Sequence, residues 1–288
     1  MQTFVFALVL TAAFTHAVWN FFSKKISGDF TLFWYGLAFA NLLLLPYSVF
    51  YIASFGIDWS GFYLILLSAF FHGLYYFFLL YSYARGDIST AYPIARGTGV
   101  AGTVVAACII LGETVTLTAA GGIILIISGI LSIGISRIRN RPGYSRSFPS
   151  RTTYYSALLT GVFIFSYSIT DKVGVERINP VVFINFVDLI ALLFLFPFAN
   201  REGAAKSIRK AAASLKDTVI IGIGSSGTYI LILFALRFER ASYIVPMREF
   251  SVVIASVMGF IFLKEKVTPV KMAGIVLITL GLIFIRFG

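Results

Sequence analysis

Ten apolar runs, each long enough to cross a lipid bilayer, constrain this chain more than any other feature. A transmembrane helix needs about 20 apolar residues to cross about 30 Å of hydrocarbon. Runs of that length cover residues 3–22, 30–53, 61–83, 89–111, 117–136, 152–171, 179–199, 217–237, 242–263 and 268–287. Transmembrane β-strands are about half as long and alternate in polarity, unlike these runs. The sequence therefore predicts an all-α integral membrane protein whose ten transmembrane helices are numbered below as spans 1 to 10.

Composition and charge agree with a lipid bilayer as the partner of this chain. Of its 288 residues, 59% are hydrophobic and only 12% are charged, which is too little polar surface to cover a soluble globule. The net charge of +11 comes from Lys and Arg between the apolar runs, which favours lipid headgroups over nucleic acid. The single cysteine, Cys108, excludes a disulfide framework within the chain and gives no metal-binding cluster. We expect neither a cofactor nor a metal.

Two linkers are long and basic. Residues 137–151 carry five Arg and two Pro, which is typical of an irregular tether. Residues 200–217 contain good helix formers with Lys and Arg, and are interpreted either as a short helix on the membrane surface or as a solvated loop. No basic segment precedes the first run, and "FFSKKISGD" after it resembles a loop, so we expect a retained span instead of a cleaved signal peptide.

The two halves of the chain repeat each other. A shift of 152 residues superimposes charged and glycine positions at once: Arg85 on Arg237, Arg96 on Arg248, Glu113 on Glu265, Gly122 on Gly274 and Gly129 on Gly281. We therefore predict one five-helix repeat at 1–136, a linker at 137–151 and a second repeat at 152–288. Because five is odd, the second repeat enters the membrane in the opposite sense. Inverted repeats of this kind are typical of transporters that alternate access to a central site.

Sequence motifs give the chain a family resemblance. "HAVWNFFSKK" at the end of span 1, Pro93 and Pro246 near the start of spans 4 and 9, and Glu113 and Glu265 at their ends resemble the EamA family of the drug/metabolite transporter superfamily. The resemblance covers the whole chain. It implies a basket of ten helices, a central cavity lined mainly by spans 1, 3, 4, 6, 8 and 9, and export or exchange of small metabolites such as amino acids.

Enzyme motifs are absent from the sequence. We find no phosphate-binding P-loop, no His-Glu-x-x-His zinc motif and no serine nucleophile elbow, so the chain is not expected to be an enzyme. The glycines of "RGTGVAG" lie inside a membrane span, where close helix packing explains them better than nucleotide binding. Glu113 and Glu265 are expected to cap a helix or form a salt bridge at the interface.

Arginines within the spans are the leading candidates for substrate binding. Arg96 and Arg248 each lie about seven residues into a span, so the inverted repeat places them on opposite sides of the membrane midplane. A buried guanidinium is costly in hydrocarbon and can grip a carboxylate or phosphate with two hydrogen bonds. The alternative for each is that a neighbouring acid neutralises it and the pair only holds helices together.

Acidic residues within the spans have two possible roles. Glu249 projects about 100° away from Arg248 on a helix and therefore needs a different partner. It either meets a Lys or Arg of span 6 or 8, or carries a proton for coupling. Asp188, interpreted with Glu249 as one of only two deeply placed acids, lies in span 7, which the resemblance makes peripheral. Structural pairing is therefore preferred for Asp188, with proton coupling as the alternative.

Polar and aromatic side chains of spans 1 and 3 complete the predicted site. His16, Trp19 and Asn20 share one helix face, and His72 is followed by Tyr75 and Tyr76. Either these groups hold helices together by hydrogen bonds or they contact substrate. The predicted substrate-binding residues are His16, Trp19, Asn20, His72, Tyr76, Arg96 and Arg248.

The predicted function is secondary transport of a small anionic or zwitterionic, amino acid-like metabolite by a monomer. The alternatives are a proton-coupled multidrug exporter, a channel or a membrane-embedded enzyme. Loops after odd-numbered spans carry fifteen Lys and Arg, against Lys172, Arg177 and Arg240 after even-numbered spans. Because positive loops stay in the cytoplasm, both termini are predicted outside it, in a cell membrane that we expect to be a bacterial inner membrane.

Overall fold

The computed structural model describes residues 1–23, 29–85, 88–139, 151–262, 264 and 267–288, and the structural statements below refer to these residues. Their helices are α1 (Thr3–Ser23), α2 (Phe30–Phe55), α3 (Phe62–Arg85), α4 (Ile88–Ile110), α5 (Leu117–Arg139), α6 (Arg151–Arg177), α7 (Pro180–Ala199), α8 (Ala204–Ala213), α9 (Leu215–Phe238), α10 (Ala241–Arg248), α11 (Phe250–Phe262) and α12 (Pro269–Phe287). A short 3₁₀ turn, Trp59–Gly61, precedes α3.

Ten helical segments of the described chain are long and apolar enough to cross a membrane, which confirms the ten predicted spans. The ninth is α10 and α11 together, and the tenth is α12. Helices α5 and α6 extend into the predicted 137–151 linker at its two ends, and its residues 140–150 lie outside the described residues. So do Lys24, Lys25, Glu265 and Lys266.

Span 9 is a broken helix, which hydropathy alone did not predict. Helix α10 ends at Arg248 and α11 begins at Phe250, with Glu249 between them. Pro246 has no N–H to donate to the preceding turn, and the Glu249 N–H bonds instead to the Pro246 carbonyl, three residues back, at 3.1 Å. This tighter turn places the break directly at the Arg248–Glu249 pair.

Span 6 is longer than predicted. The apolar run ends at residue 171, where charged residues begin, but α6 continues to Arg177, and its inward face is polar. The buried hydroxyl and carboxyl side chains lower the hydropathy of the segment without preventing a helix. The polar members of this buried face are Thr153, Ser156, Thr160, Ser168, Thr170 and Asp171.

Helices α5 and α12 cross through the four glycines that the repeat had paired. A Cβ atom on Gly122 would lie 2.6 Å from the Gly281 carbonyl oxygen, and one on Gly129 would lie 2.7 Å from the Gly274 carbonyl oxygen. The first glycine of one helix thus meets the second glycine of the other, as two antiparallel copies of one helix would. Only glycine allows so close a backbone approach.

Other packing pairs follow the same pseudo-two-fold relation. Helix α3 packs on α6, and its repeat counterpart α9 packs on α1. Helix α2 packs on its own counterpart α7, where Asn41 donates to the Asn185 carbonyl at 2.8 Å and Asn185 donates to the Asn41 carbonyl at 2.9 Å. The inverted arrangement of two five-helix repeats is therefore visible in the helix packing.

The loop after α4 holds the start of α10. The Glu113 carboxylate accepts hydrogen bonds from the backbone N–H groups of Ala241 and Ser242 at 2.8 and 2.9 Å, and from the Ser242 hydroxyl at 2.6 Å. Two otherwise unpaired N–H groups of α10 are satisfied in this way. The predicted capping role of Glu113 is confirmed.

The basic segment after span 7 contains a helix, α8. Its Lys210 forms an ion pair with Asp29 before α2 at 2.6 Å, and its Ser207 donates to the Ala199 carbonyl at 3.3 Å. Of the two interpretations of residues 200–217, the helix is therefore the one observed.

Candidate functional site

A cavity of about 250 Å³ lies between the two repeats. All seven predicted substrate-binding residues line it: His16, Trp19, Asn20, His72, Tyr76, Arg96 and Arg248. The expected spans 1, 3, 4, 6, 8 and 9 contribute, but α2 and α7 do so as well, through Phe33, Leu37, Ile184 and Asp188. Span 7 is therefore not peripheral to the cavity, which corrects the prediction for Asp188.

The cavity extends to the face that carries the loops after odd-numbered spans. Asp29, in the first of these loops, lines it, together with Asn20 near the end of α1 and Tyr92 near the start of α4. Toward the other face, the lining ends at side chains deep in their spans, such as His72 and Tyr229. Among the described residues, the cavity lining therefore reaches the odd-loop face but not the opposite face.

Arg96 is neutralised by Glu249. Its Nε and Nη2 atoms donate to the two carboxylate oxygens of Glu249 at 3.0 and 2.6 Å. Both side chains are buried, Glu249 completely. The partner of Glu249 is thus on span 4, and not on span 6 or 8 as predicted. This two-point pair joins the two repeats at the break in span 9.

Arg248 has no such neighbour. It is 5% exposed, lines the cavity, and makes no side-chain hydrogen bond or ion pair with any described residue. The repeat explains the difference: the residue after Arg248 is Glu249, whereas the equivalent residue after Arg96 is Gly97. One repeat therefore supplies a carboxylate and the other supplies none. A buried guanidinium without a partner among the described residues has the chemistry to bind an anion.

Asp188 is a buried group of opposite charge in the same cavity. Its side chain on α7 is 3% exposed, and its Oδ1 atom has no hydrogen-bond partner among the described residues. It forms no ion pair with a described side chain, so the preferred structural pairing is not observed. The cavity thus presents one cationic and one anionic side chain without partners among the described residues, on two helices of the second repeat.

The polar face of α1 is partly satisfied within its own helix. Asn20 donates to the His16 carbonyl at 2.7 Å, and the His16 and Trp19 rings meet edge to face at 5.3 Å. Gly224 on α9 lies directly against the Trp19 side chain. His16, Trp19 and Asn20 thus lie together on the cavity side of α1.

Aromatic rings form the rest of the wall. His72 stacks on Tyr167 with ring centroids 4.2 Å apart, and Tyr229 meets the His72 ring edge to face at 5.5 Å. Tyr76 packs against Phe33 at 5.0 Å. These rings give an apolar surround to the charged groups, in which hydrogen bonds to a ligand are stronger than in water.

Asp171 is a third buried acid that the sequence interpretation missed. It is fully buried behind the cavity wall, where it accepts a hydrogen bond from Ser68 Oγ at 2.5 Å and another from Tyr229. The His72 Nε2 atom lies 3.8 Å from its Oδ2 atom. The spacing of Ile164, Tyr167 and Asp171 on one helix face could have indicated it, had span 6 not been ended at residue 171.

Metal binding finds no support in the part of the chain that the structure describes. No group of three or more His, Cys, Asp and Glu side chains comes close enough together there to hold an ion. The chemistry available in the cavity is ion pairing, hydrogen bonding and contact with aromatic rings.

Comparison with known proteins agrees with this architecture. An uncharacterized protein of Methanocaldococcus jannaschii, MJ1333.1, is 30% identical over 141 residues, which are 48% of this chain and 98% of that protein. The crystal structure of a second protein superposes with a TM-score of 0.75 at 13% identity. The superposition covers 100% of this chain and 98% of the other. The second similarity concerns the fold alone.

The family model of EamA-like transporters matches twice, over residues 3–135 and 151–287. One match covers each half of the chain, and together they cover nearly all of it. Together with the ten apolar helices, the two matches identify a multi-pass membrane protein, and the chain belongs to the EamA-like transporter family.

Proposed function

We propose that this protein is a secondary transporter that exports or exchanges a small anionic or zwitterionic, amino acid-like metabolite by alternating access through the central cavity. The observation that carries the proposal is Arg248, a buried guanidinium that faces the cavity and has no partner among the described residues. A carboxylate of the cargo would supply the missing charge with two hydrogen bonds.

Asp188 supports a zwitterion over a simple anion. Its unpaired, buried carboxylate lines the same cavity as Arg248. A cargo with an ammonium group would satisfy it, and leaving both side chains without partners would be costly in a low-dielectric interior. Arg248 and Asp188 together are therefore the proposed specificity determinants, with His16, Trp19, Asn20, His72 and Tyr76 as cavity walls.

Alternating access is supported by the symmetry of the packing. An inverted repeat can adopt two related conformations, each open to one face, when the two copies exchange arrangements. The described lining of the cavity reaches the odd-loop face, and the charge pattern favours the cytoplasm for that face. A cytoplasm-facing cavity is the loading state of an exporter.

The proposed setting is a cell membrane, in bacteria the inner membrane, with both termini outside the cytoplasm. We also propose that the protein works as a monomer, since residues of a single chain line the cavity. A proton-coupled multidrug exporter is the second candidate, and Asp188 is the observation that favours it, because a lone buried carboxylate would bind a cationic drug.

Three compounds of one skeleton separate these functions. L-Phenylalanine, 3-phenylpropionate and 2-phenylethylamine share a ring that suits the aromatic wall but differ in their charged groups. We expect the purified protein in liposomes to exchange L-phenylalanine best, 3-phenylpropionate less and 2-phenylethylamine least, and to show saturation and counterflow. Preference for the amine would support the multidrug alternative, and linear flux without counterflow would indicate a channel. A wider panel of amino acids and organic acids would follow, and transport of none of them would contradict the proposal.

A further inference from the structure

The hydrogen bonds around Asp171 leave two acceptor atoms, His72 Nε2 and Asp171 Oδ2, facing each other. The single Ser68 hydroxyl hydrogen is donated to Asp171 Oδ1, so toward the His72 ring Ser68 can only accept. The Nδ1 atom of His72 lies 3.1 Å from the Ser68 carbonyl oxygen, which also can only accept. These two contacts assign the hydrogen of a neutral His72 to Nδ1.

The Nε2 atom of the neutral ring then presents a lone pair. It lies 3.8 Å from Asp171 Oδ2, a carboxylate oxygen that already accepts a hydrogen bond from Tyr229. Two acceptors that face each other in a dry interior repel, unless a proton is bound by one of them. The geometry therefore provides a place for one proton between His72 and Asp171.

The charges around the empty cavity also favour one bound proton. Arg96 and Glu249 neutralise each other. Arg248, Asp171 and Asp188 remain, which is one cation and two carboxylates in the middle of the bundle. One bound proton brings their sum to zero, and an uncompensated charge at that depth costs about 2.5–3.5 kcal/mol on insertion scales.

We propose that Asp171, together with His72, is a proton-binding site in the floor of the cavity whose occupancy is coupled to the charge at Arg248. His72 lines the cavity and touches Asp171, so it connects the buried carboxylate with the bound cargo. A cargo carboxylate that neutralises Arg248 removes a positive charge that favours ionised Asp171, and thereby promotes proton binding. The link to cargo rests on the proposed function, whereas the site itself does not.

Several charged or titratable groups stand around Asp171 on the helices that pack near it: His72 and Tyr76 on α3, Arg96 on α4, Tyr167 on α6, Asp188 on α7, Tyr229 on α9 and Arg248 on α10. Lys172, the next residue of α6, is engaged elsewhere, by Glu176 at 2.7 Å and the Leu236 carbonyl at 2.8 Å. Among these groups, Arg248 is thus the cation without a partner in the described part of the chain.

Infrared spectroscopy of the empty protein tests the site without any cargo. The carbonyl band of a protonated carboxyl group is followed by titration from about pH 5 to pH 9, a range in which buried carboxylates titrate. We expect a titrating band in the wild type that is lost in Asp171→Asn. In Arg248→Gln its midpoint should move to higher pH by about one unit, because a cation has been removed.

Asp58→Asn is the matched control. Asp58 is exposed in the turn before α3, and hydrogen bonding from Ser60 lowers the pKa of its carboxyl group, so its loss should leave the band unchanged. Should Asp171→Asn fail to fold, Tyr229→Phe removes one donor to the carboxylate and should also move the midpoint to higher pH. The proposal would be overturned if the band were unchanged in Asp171→Asn, or if its midpoint were the same in Arg248→Gln as in the wild type. Asp171 would then be a structural hydrogen-bond acceptor only.

The coupling to cargo is measured with 3-phenylpropionate as the probe, in weak buffer with a pH-sensitive dye. We expect proton uptake on binding to the wild type and none in Asp171→Asn. Binding without uptake would refute the coupling alone. Absence of binding would count against the proposed function, while the infrared titration would still decide whether the site exists.

Discussion

Arg96 and Arg248 occupy equivalent positions in the two repeats, yet their environments differ because a single neighbouring residue differs. Glu249 follows Arg248 in the chain but pairs with Arg96, since adjacent side chains on a helix diverge and the bundle brings α4 to the break in span 9. Gly97, the equivalent residue in the first repeat, has no side chain that could pair with Arg248. At the residue scale, Arg96 is therefore paired within the protein, whereas Arg248 is the proposed anion-binding group.

Removal of Arg96 should destabilise the protein. Arg96→Ala leaves the fully buried Glu249 carboxylate without its partner, which costs about 3–5 kcal/mol for a buried pair. We expect a marked loss in thermal unfolding temperature in detergent. The double variant Arg96→Met with Glu249→Leu removes both charges and should regain most of the stability. A double variant as unstable as Arg96→Ala would contradict this account.

Removal of Arg248 should instead weaken cargo binding strongly and preserve the fold. Arg248→Ala takes away an unpaired buried cation, so thermal stability should not fall, whereas two charge-assisted hydrogen bonds worth about 3 kcal/mol are lost to the cargo. This corresponds to about 100-fold weaker binding, measured by calorimetry with L-phenylalanine. Arg248→Lys should also bind poorly, because an ammonium group cannot make the two-point contact. Tight binding by Arg248→Ala would refute the assignment.

At the scale of helices, close crossings and one break organise the bundle. The crossing of α5 and α12 uses Gly122 and Gly129 against Gly281 and Gly274, and it joins the last helices of the two repeats. The break in span 9 places Arg248 and Glu249 at the ends of two short helices, as in transporters that build sites at discontinuous helices. Pro93 in the equivalent span leaves α4 continuous.

Two adjacent glycines of α5 should respond differently to the same substitution. A Cβ on Gly122 would approach the Gly281 carbonyl oxygen to 2.6 Å, whereas one on Gly121 would lie 3.9 Å from Phe284. Gly122→Ala should therefore destabilise the protein by about 1–3 kcal/mol through overpacking. Gly121→Ala should be neutral or slightly stabilising. Equal unfolding temperatures for both variants would show that the crossing is looser than described.

At the scale of the whole molecule, charge is unevenly divided between the two faces. On the even-loop face the few cations have internal partners: Arg177 reaches Ser60 Oγ at 3.5 Å, Arg240 bonds to Thr114, and Arg286 reaches Thr3 Oγ1 at 3.1 Å. Arg237, exposed in the last turn of α9, adds one more cation there. The fifteen cations of the odd loops still dominate, and they favour the cytoplasm for that face.

Orientation is tested with single cysteines in a Cys108→Ser background. Ala212 on α8 and Thr118 at the start of α5 are exposed on opposite faces. A membrane-impermeant thiol reagent should label Thr118→Cys in intact cells and Ala212→Cys only after permeabilisation. Fusions at Gly288 should agree, with active alkaline phosphatase and no green fluorescence. The reverse pattern in both assays would contradict the proposed orientation.

The sequence alone determined the number of spans and the inverted repeat, because these depend on local hydropathy, on spacing and on matches at one offset, and it identified seven of the residues that line the cavity. Only the tertiary structure decided that Glu249 pairs with Arg96, that Asp188 lines the cavity, and that Asp171 is buried beside His72. Long side chains reach across helices, and their partners depend on which faces meet when the bundle packs. The sequence did not indicate that Asp171 is buried on the polar inner face of α6, because hydropathy averages over a whole helix, whereas burial differs from face to face.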